Sequence, residues 1–532
     1  MNDVILLVPV LAPLAGAVVY VAFGWRPATS WAAAVSAALV LASGAVLAAD
    51  VLQHGARTGL FGLVRVDALA AFMLVVVGAV ALLAAGATPS WLRGEIAAGR
   101  AEPRTATRHS LLVQLFLAAM AWAVMAANVG MVWVSIEATT IVTAFLVGQR
   151  RSRAAVEAAW KYVVICSTGI AVALLGILLL DAAASHVPGH VGLDWVELVS
   201  AAPHLDPGVT RIAVALMVVG FGTKAGLAPL HSWLPDAHGQ APAPVSALMS
   251  GVLLAVAFSV VLRVKAISDA ALGLGFARTL LVAIALATLA VSASLMIRQR
   301  DYKRMLAYSS MEHLGIIAFG AAAGGPLATA AVLLHVLGHG LVKGVLFLGA
   351  GQILHATGSS RIDAVRDLVG RVPVLAGCVG VGVLALIGFP PFSVFASELG
   401  IVRAGFGAGL GWATALALVL VLVIAAALVV HTSRMLFARP GAAAEPADEP
   451  SAASPTSPDS PGLPAAPDSP ASPASPGLTT SPASPTAEPA LPRRRAAMPL
   501  LLGLLACSAL GVTAGPLAAV LDAAAQSLTG AP

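Results

Sequence analysis

Apolar residues fill this chain in long unbroken runs. Neither the alternation of a half-buried strand nor the narrow stripe of a soluble amphipathic helix describes them. A bilayer core demands about 20 apolar residues of each crossing helix. Fourteen such runs lie near 4–24, 31–50, 64–86, 110–127, 129–147, 161–181, 210–230, 240–263, 274–297, 302–323, 326–354, 373–401, 410–436 and 497–520. The pattern predicts an all-α polytopic membrane protein with about fourteen transmembrane helices.

Two runs are interrupted at comparable places. In the seventh, Lys224 is followed five residues later by Pro229. In the twelfth, Gly388-Phe-Pro-Pro-Phe392 places Pro390 and Pro391 shortly before Glu398. A broken helix frees backbone groups that lipid cannot satisfy, so a break beside an ionisable residue marks a built site. The breaks lie five spans apart, and an odd offset reverses direction across the membrane. Paired breaks in opposed halves are the mark of an inverted repeat. The expected organisation is spans 1–3 (1–109), one five-helix repeat (110–263), a second, inverted one (274–436), and a last span (497–520). Residues 440–496, rich in Pro, Ser and Ala, read as a disordered linker, because they hold too little apolar surface to order themselves. Its reach lets the last span pack away from span 13.

Composition strengthens this picture. The chain is 59% hydrophobic and 10% charged, against roughly 25% charged for soluble domains. The N-terminus lacks a basic region and reads as an uncleaved first span. Lys and Arg number 20 in loops after odd spans and 7 after even ones. Cytoplasmic loops carry the excess, so both termini are expected outside the cytoplasmic membrane and the linker inside. Cys166, Cys378 and Cys507 all sit in apolar runs and form no C-x-x-C pair. No iron–sulfur, [NiFe] or disulfide pattern is present, and no cofactor or nucleic-acid partner is expected for this chain. Gly220-Phe-Gly-Thr-Lys-Ala-Gly226 matches neither phosphate-binding glycine pattern and follows no strand.

Ionisable residues inside the runs carry the candidate chemistry. Glu137 lies in span 5, Lys224 in span 7 and Glu398 in span 12. In span 11, His335, His339 and Lys343 recur every fourth residue and share one helix face. Two histidines at that spacing can hold a metal, but no third ligand stands nearby in sequence and the lysine disfavours a cation, so no metal is expected. His313 in span 10 extends the row, with Glu312 beside it pointing elsewhere. Lys161, near the end of span 6, reads equally as a snorkelling lysine. Carboxylate, amine, imidazole and carboxylate in that order suit a lateral proton path between two half-channels. Moving a proton against the membrane potential costs about 2.3 kcal/mol per 100 mV, which a partner or an ion gradient must supply.

The run Lys224-Ala-Gly-Leu-Ala-Pro-Leu-His-Ser-Trp-Leu-Pro-Asp-Ala-His238 resembles the signature of the proton-translocating antiporter-like subunits of complex I and Mrp antiporters. The likeness extends over roughly residues 60–435. Ser135-Ile-Glu-Ala-Thr-Thr140, Glu157-Ala-Ala-Trp-Lys-Tyr-Val-Val-Ile-Cys166 and Tyr308-Ser-Ser-Met-Glu-His-Leu-Gly315 look most like hydrogenase-4 component F of group 4 [NiFe]-hydrogenases. The resemblance implies a Glu137–Lys224 pair, a central relay at Lys343 with His335 and His339, and a terminal site at Glu398. It implies a proton-translocating subunit of a hydrogenase-4-like or complex I-like oxidoreductase. Other membrane and peripheral subunits would then carry iron–sulfur clusters, [NiFe] or quinone. A sodium/proton antiporter module and a non-pumping partner in an ion-uptake complex are the alternatives. One departure stands out. Where many relatives carry a lysine after Gly251-Val-Leu-Leu254, this chain has Ala255. His231, His238 or water are the expected bridges. The C-terminus shows no long lateral helix.

Overall fold

The computed structural model describes residues 4–188, 191–438 and 497–529. The linker expected at 440–496 lies outside the described residues. The chain opens with α1 (Val4–Phe23) and α2 (Ala32–His54). A small antiparallel hairpin follows, β1 (Arg57–Gly59) and β2 (Val64–Val66), with Thr58 opposite Arg65. Three-residue strands are too short for any periodicity to reveal, and the sequence reading missed them. Next come α3 (Ala68–Ala97), α4 (Pro103–Met125), α5 (Val129–Val147), α6 (Arg153–Ser185) and the short α7 (Trp195–Ala201). Asn128 and Ser152 cap α5 and α6, accepting from Gly130 N at 2.7 Å and Ala155 N at 3.2 Å.

The seventh apolar run is not one helix to residue 230. Its helix, α8 (Pro207–Lys224), stops at the lysine, and α9 (Trp233–Gln240) resumes the path. Pro229 lies within the intervening turn. Side chains satisfy the backbone freed there, as a break at membrane depth requires. Trp233 Nε1 donates to Thr223 O at 3.0 Å, and Ala228 N donates to Thr288 Oγ1 at 3.0 Å. Lys303 Nζ donates to Gly239 O at 2.9 Å and Ala241 O at 2.7 Å, holding the C-terminal end of α9. Lys303, which composition assigns to a loop, is therefore an interior strut.

A six-residue α10 (Ala243–Leu248), a π-helical turn (Met249–Leu253) and α11 (Leu254–Leu272) form the next span. Then come α12 (Leu274–Met296), α13 (Tyr302–Ala323) and the long α14 (Gly325–Thr357). After α15 (Leu368–Arg371), the twelfth run divides into α16 (Pro373–Leu386) and α17 (Ser393–Gly407), with Pro390 and Pro391 between them. The described chain continues with α18 (Gly411–Phe437), α19 (Met498–Val512) and α20 (Leu517–Thr529).

Among the described residues ten helices are long and apolar enough to cross a membrane, or eleven with α19 and α20 taken as one span bent by 71°. The fourteen expected runs all coincide with helices, but α8 carries Arg211 and Lys224 in its 18 residues and α13 carries Lys303, Arg304 and Glu312. These two are too polar, and the twelfth run is divided into helices of 14 and 15 residues, so three runs stand outside that count. The protein is an all-α, multi-pass integral membrane protein.

α14 is the hub, packed on α3, α10, α13, α16, α17, α19 and α20. α19 rests on α14, α16 and α17, and Cys507 Sγ lies 3.2 Å from Ser393 Oγ at the second break. The last apolar segment thus packs against the interior hub. α14 crosses the π-helical turn where Gly340 meets Gly251. A Cβ on Gly251 would stand 2.9 Å from Gly340 O and 2.8 Å from Val80 Cγ1. Gly251→Val is therefore expected to lower the thermal unfolding midpoint in detergent by the equivalent of roughly 1–3 kcal/mol of overpacking. Gly275→Ala, where nothing lies within 4 Å, is expected to leave the midpoint unchanged.

Candidate functional site

Lys224 is the last residue of α8 and is fully buried. A buried ammonium costs several kcal/mol unless its donors are satisfied. Lys224 Nζ donates to Thr140 Oγ1 and to Tyr162 OH, each at 2.7 Å. Those hydroxyls come from α5 and α6, so three helices meet on one nitrogen. Glu137, the expected partner, does not form an ion pair with Lys224. It lies three residues before Thr140 on α5, its Oε1 accepts from Ser167 Oγ at 2.8 Å, and its Oε2 is buried without a partner. Glu137 lines a groove of about 610 Å³ between α5 and α6, which Arg108, Arg151 and Trp160 also line. The carboxylate therefore borders the groove at the flank of the protein, and Lys224 lies in its interior on Thr140 and Tyr162.

Lys161 does not join the interior row. It is half exposed and pairs with Glu157 at 2.7 Å and Asp236 at 3.2 Å, and Asp236 also meets Arg304 at 3.2 Å. These four charges line a cavity of about 210 Å³ with Asp301. The snorkelling reading describes this lysine. His231 is also peripheral, with Nδ1 3.1 Å from Pro229 O. His238, by contrast, is fully buried and stacked on Phe347 at 4.7 Å, and neither ring nitrogen has a hydrogen-bond partner. Of the two histidines proposed as bridges, only His238 lies in the interior.

On α14, Lys343 is fully buried and donates to Leu306 O at 2.7 Å and to Ser309 Oγ, both on α13. The next residue, Ser310, shares a 2.9 Å hydrogen bond with Ser250 in the π-helical turn. A π-helical turn is often a functional feature, and this one brings a hydroxyl to α13 five residues before Ala255. His339 Nε2 is buried without a partner, and its ring centroid lies 5.0 Å from that of His313. His313 Nδ1 and His335 Nε2 share a 3.0 Å hydrogen bond, and His335 Nδ1 meets Ser397 Oγ at 2.9 Å. Glu398 completes this end: ligating atoms of His313, His335 and Glu398 all lie within 4.8 Å of one another. Gly388 makes room for the carboxylate, since a Cβ there would stand 2.1 Å from Glu398 Oε2.

The fourth-residue spacing on α14 correctly placed three basic groups on one inward face. It did not show that His313 and Glu398 converge on His335. Nor did the sequence reading single out Thr140, Tyr162, Ser167, Ser250, Ser309, Ser310 or Ser397. Several of these stand inside the quoted signatures, but a hydroxyl in an apolar helix more often bonds its own backbone, so residue type alone did not mark them.

The comparisons place these positions in a known framework. Residues 126–425 match the family described as NADH:quinone oxidoreductase/Mrp antiporter, transmembrane. The chain is 38% identical over 318 residues to a hydrogenase-4 component F homolog of Methylacidiphilum infernorum, covering 59% of this chain and 67% of that one. It is 33% identical over 390 residues to NADH-quinone oxidoreductase subunit N of Desulforudis audaxviator, covering 70% and 74%. In fold, it superposes on a chain of the archaeal membrane-bound sulfane sulfur reductase with a TM-score of 0.81 at 22% identity, covering 99% and 98%. It superposes on a chain of the Mrp complex from Dietzia with a TM-score of 0.78 at 22% identity, covering 99% and 97%.

A double-mutant cycle between Lys224→Met and Tyr162→Phe, read by thermal unfolding, is expected to give a coupling of about 1.5–3 kcal/mol, the range for a hydrogen bond to a charged group. Additive effects would show that the contact carries no energy. The matched span includes every interior group from Glu137 to Glu398, and this protein belongs to the NADH:quinone oxidoreductase/Mrp antiporter family of membrane subunits.

Proposed function

We propose that this chain is a proton-translocating membrane subunit of a hydrogenase-4-like or complex I-like assembly. Its own residues move protons, and partner subunits carry the redox centres. The observation that carries the reading is the burial of Lys224 and Lys343, the first held by hydroxyls of α5 and α6 and the second by a carbonyl and a hydroxyl of α13. Intramembrane lysines are costly, and such residues mark ion paths.

In this reading Glu137 faces a neighbouring subunit across the groove between α5 and α6. Its charge biases Lys224 through Thr140. Lys224 passes its proton inward, and Ser250 and Ser310 replace the lysine missing at Ala255, with His238 and water beside them. Lys343 and His339 form the central relay. His313, His335 and Glu398 exchange the proton with one face. Fourteen spans, two inverted five-helix repeats (110–263 and 274–436) and termini outside the cytoplasmic membrane complete the proposal. The paired breaks at 225–232 and 387–392 support the repeat, and the excess of basic residues in alternate loops supports the orientation.

In the assembled complex, Lys224→Ala is expected to lower proton translocation at least about tenfold, roughly 1.4 kcal/mol or more, with electron transfer in the partners still measurable. Unchanged pumping at normal electron transfer overturns the reading. Sodium-dependent proton flux in vesicles without any redox partner would assign an Mrp-type antiporter module instead. Absence of flux from an intact complex would assign a non-pumping partner.

A further inference from the structure

We propose that His313, His335 and Glu398 form a binding site for a zinc-class divalent cation at the inner end of the second helix break. Two imidazole nitrogens and one carboxylate oxygen are the three-ligand set that leaves zinc a fourth position for water. Their ligating atoms already lie within 4.8 Å of one another. Tetrahedral zinc at ordinary bond lengths separates its ligands by about 3.3 Å. His313 Nδ1 and His335 Nε2 stand 3.0 Å apart, so an ion there replaces their shared hydrogen bond with little ring movement. Glu398 makes up the remaining distance with a flexible side chain lying over Gly388.

Two further features fit a metal better than a hydrogen-bonded cluster alone. Ser397 Oγ holds His335 Nδ1 at 2.9 Å, the outer-shell contact that fixes the tautomer and direction of a metal-bound histidine. The lysine that argued against a cation is directed elsewhere. Lys343 donates to Leu306 O and Ser309 Oγ, and it lies eight residues from His335, about 12 Å along the helix. Imidazole ligands select zinc and its transition-metal neighbours over sodium, magnesium or calcium. Binding here does not depend on proton transfer. Where the proton-path reading holds, the ion occupies the last groups of the path and blocks it.

The test is a Co2+ titration of the purified full-length chain in detergent, prepared without a polyhistidine tag. The expected result is saturable visible absorption of four-coordinate Co2+ at one ion per chain, displaced by Zn2+. Ser397→Ala should weaken binding about 10–100-fold, as outer-shell losses do. Glu398→Gln and His313→Gln should weaken it at least as much, and His186→Gln, at the exposed end of α6, should leave it unchanged. Size-exclusion profiles identify any variant that fails to fold, and the mild Ser397→Ala change keeps the test decisive in that case. Absence of the four-coordinate spectrum, or binding unaltered in folded Glu398→Gln and Ser397→Ala, overturns the site. Neither result bears on proton pumping by Lys224 variants, so the two proposals fail separately.

Discussion

The interior is arranged around the need to keep two ammonium groups out of water without leaving them unpaired. Lys224 and Lys343 are each fully buried, and among the described residues no carboxylate forms an ion pair with either. Hydroxyls and carbonyls hold them instead, at distances such as 2.7 Å from Lys224 to Thr140 and Tyr162. A carboxylate in contact would bind the proton's carrier tightly, whereas a neutral cradle leaves the charge open to more distant groups. That requirement fixes the register of α5, α6 and α8 around one nitrogen and that of α13 and α14 around the other. It also explains why α8 ends at its lysine, since the helix end places the side chain among its partners and lets α9 return as a second piece.

α14 crosses the π-helical turn between the segments that carry the two lysines. Close approach of Gly251 and Gly340 brings the backbones together, and the same turn sets Ser250 against Ser310. Ser310 adjoins Ser309, which accepts from Lys343. A hydroxyl pair therefore stands one turn before Ala255, next to the Lys343 site. Charges at the rim behave differently. The Glu157–Lys161–Asp236–Arg304 network is solvent-facing, and salt screens such pairs strongly.

Much of this was legible in the sequence. Apolar run lengths placed the ten or eleven helices long and apolar enough to cross, because lipid imposes one length scale and one backbone solution. Proline near an ionisable residue gave both breaks. The His335-His339-Lys343 spacing gave an inward face, because helical periodicity is rigid. What stayed hidden depends on three-dimensional convergence. Glu398 meets His313 and His335 only after the chain breaks at 387–392 and turns α17 back onto α13 and α14. Tyr162 and Thr140 carry no signal beyond their type, and Lys303 reads as a loop cation until the end of α9 is placed beneath it. The Glu137–Lys224 ion pair expected from family likeness is not formed here: Glu137 accepts from Ser167 and Lys224 donates to Thr140 and Tyr162.

The central claim is that the two lysines belong to one path. Proton translocation per electron in the reconstituted complex tests it most directly, comparing Lys224→Ala, Lys343→Ala and the double variant. Residues acting as a unit lose function non-additively. One path predicts that the double variant is no worse than the more damaged single variant. Losses that multiply, or a single variant with normal translocation, would contradict it.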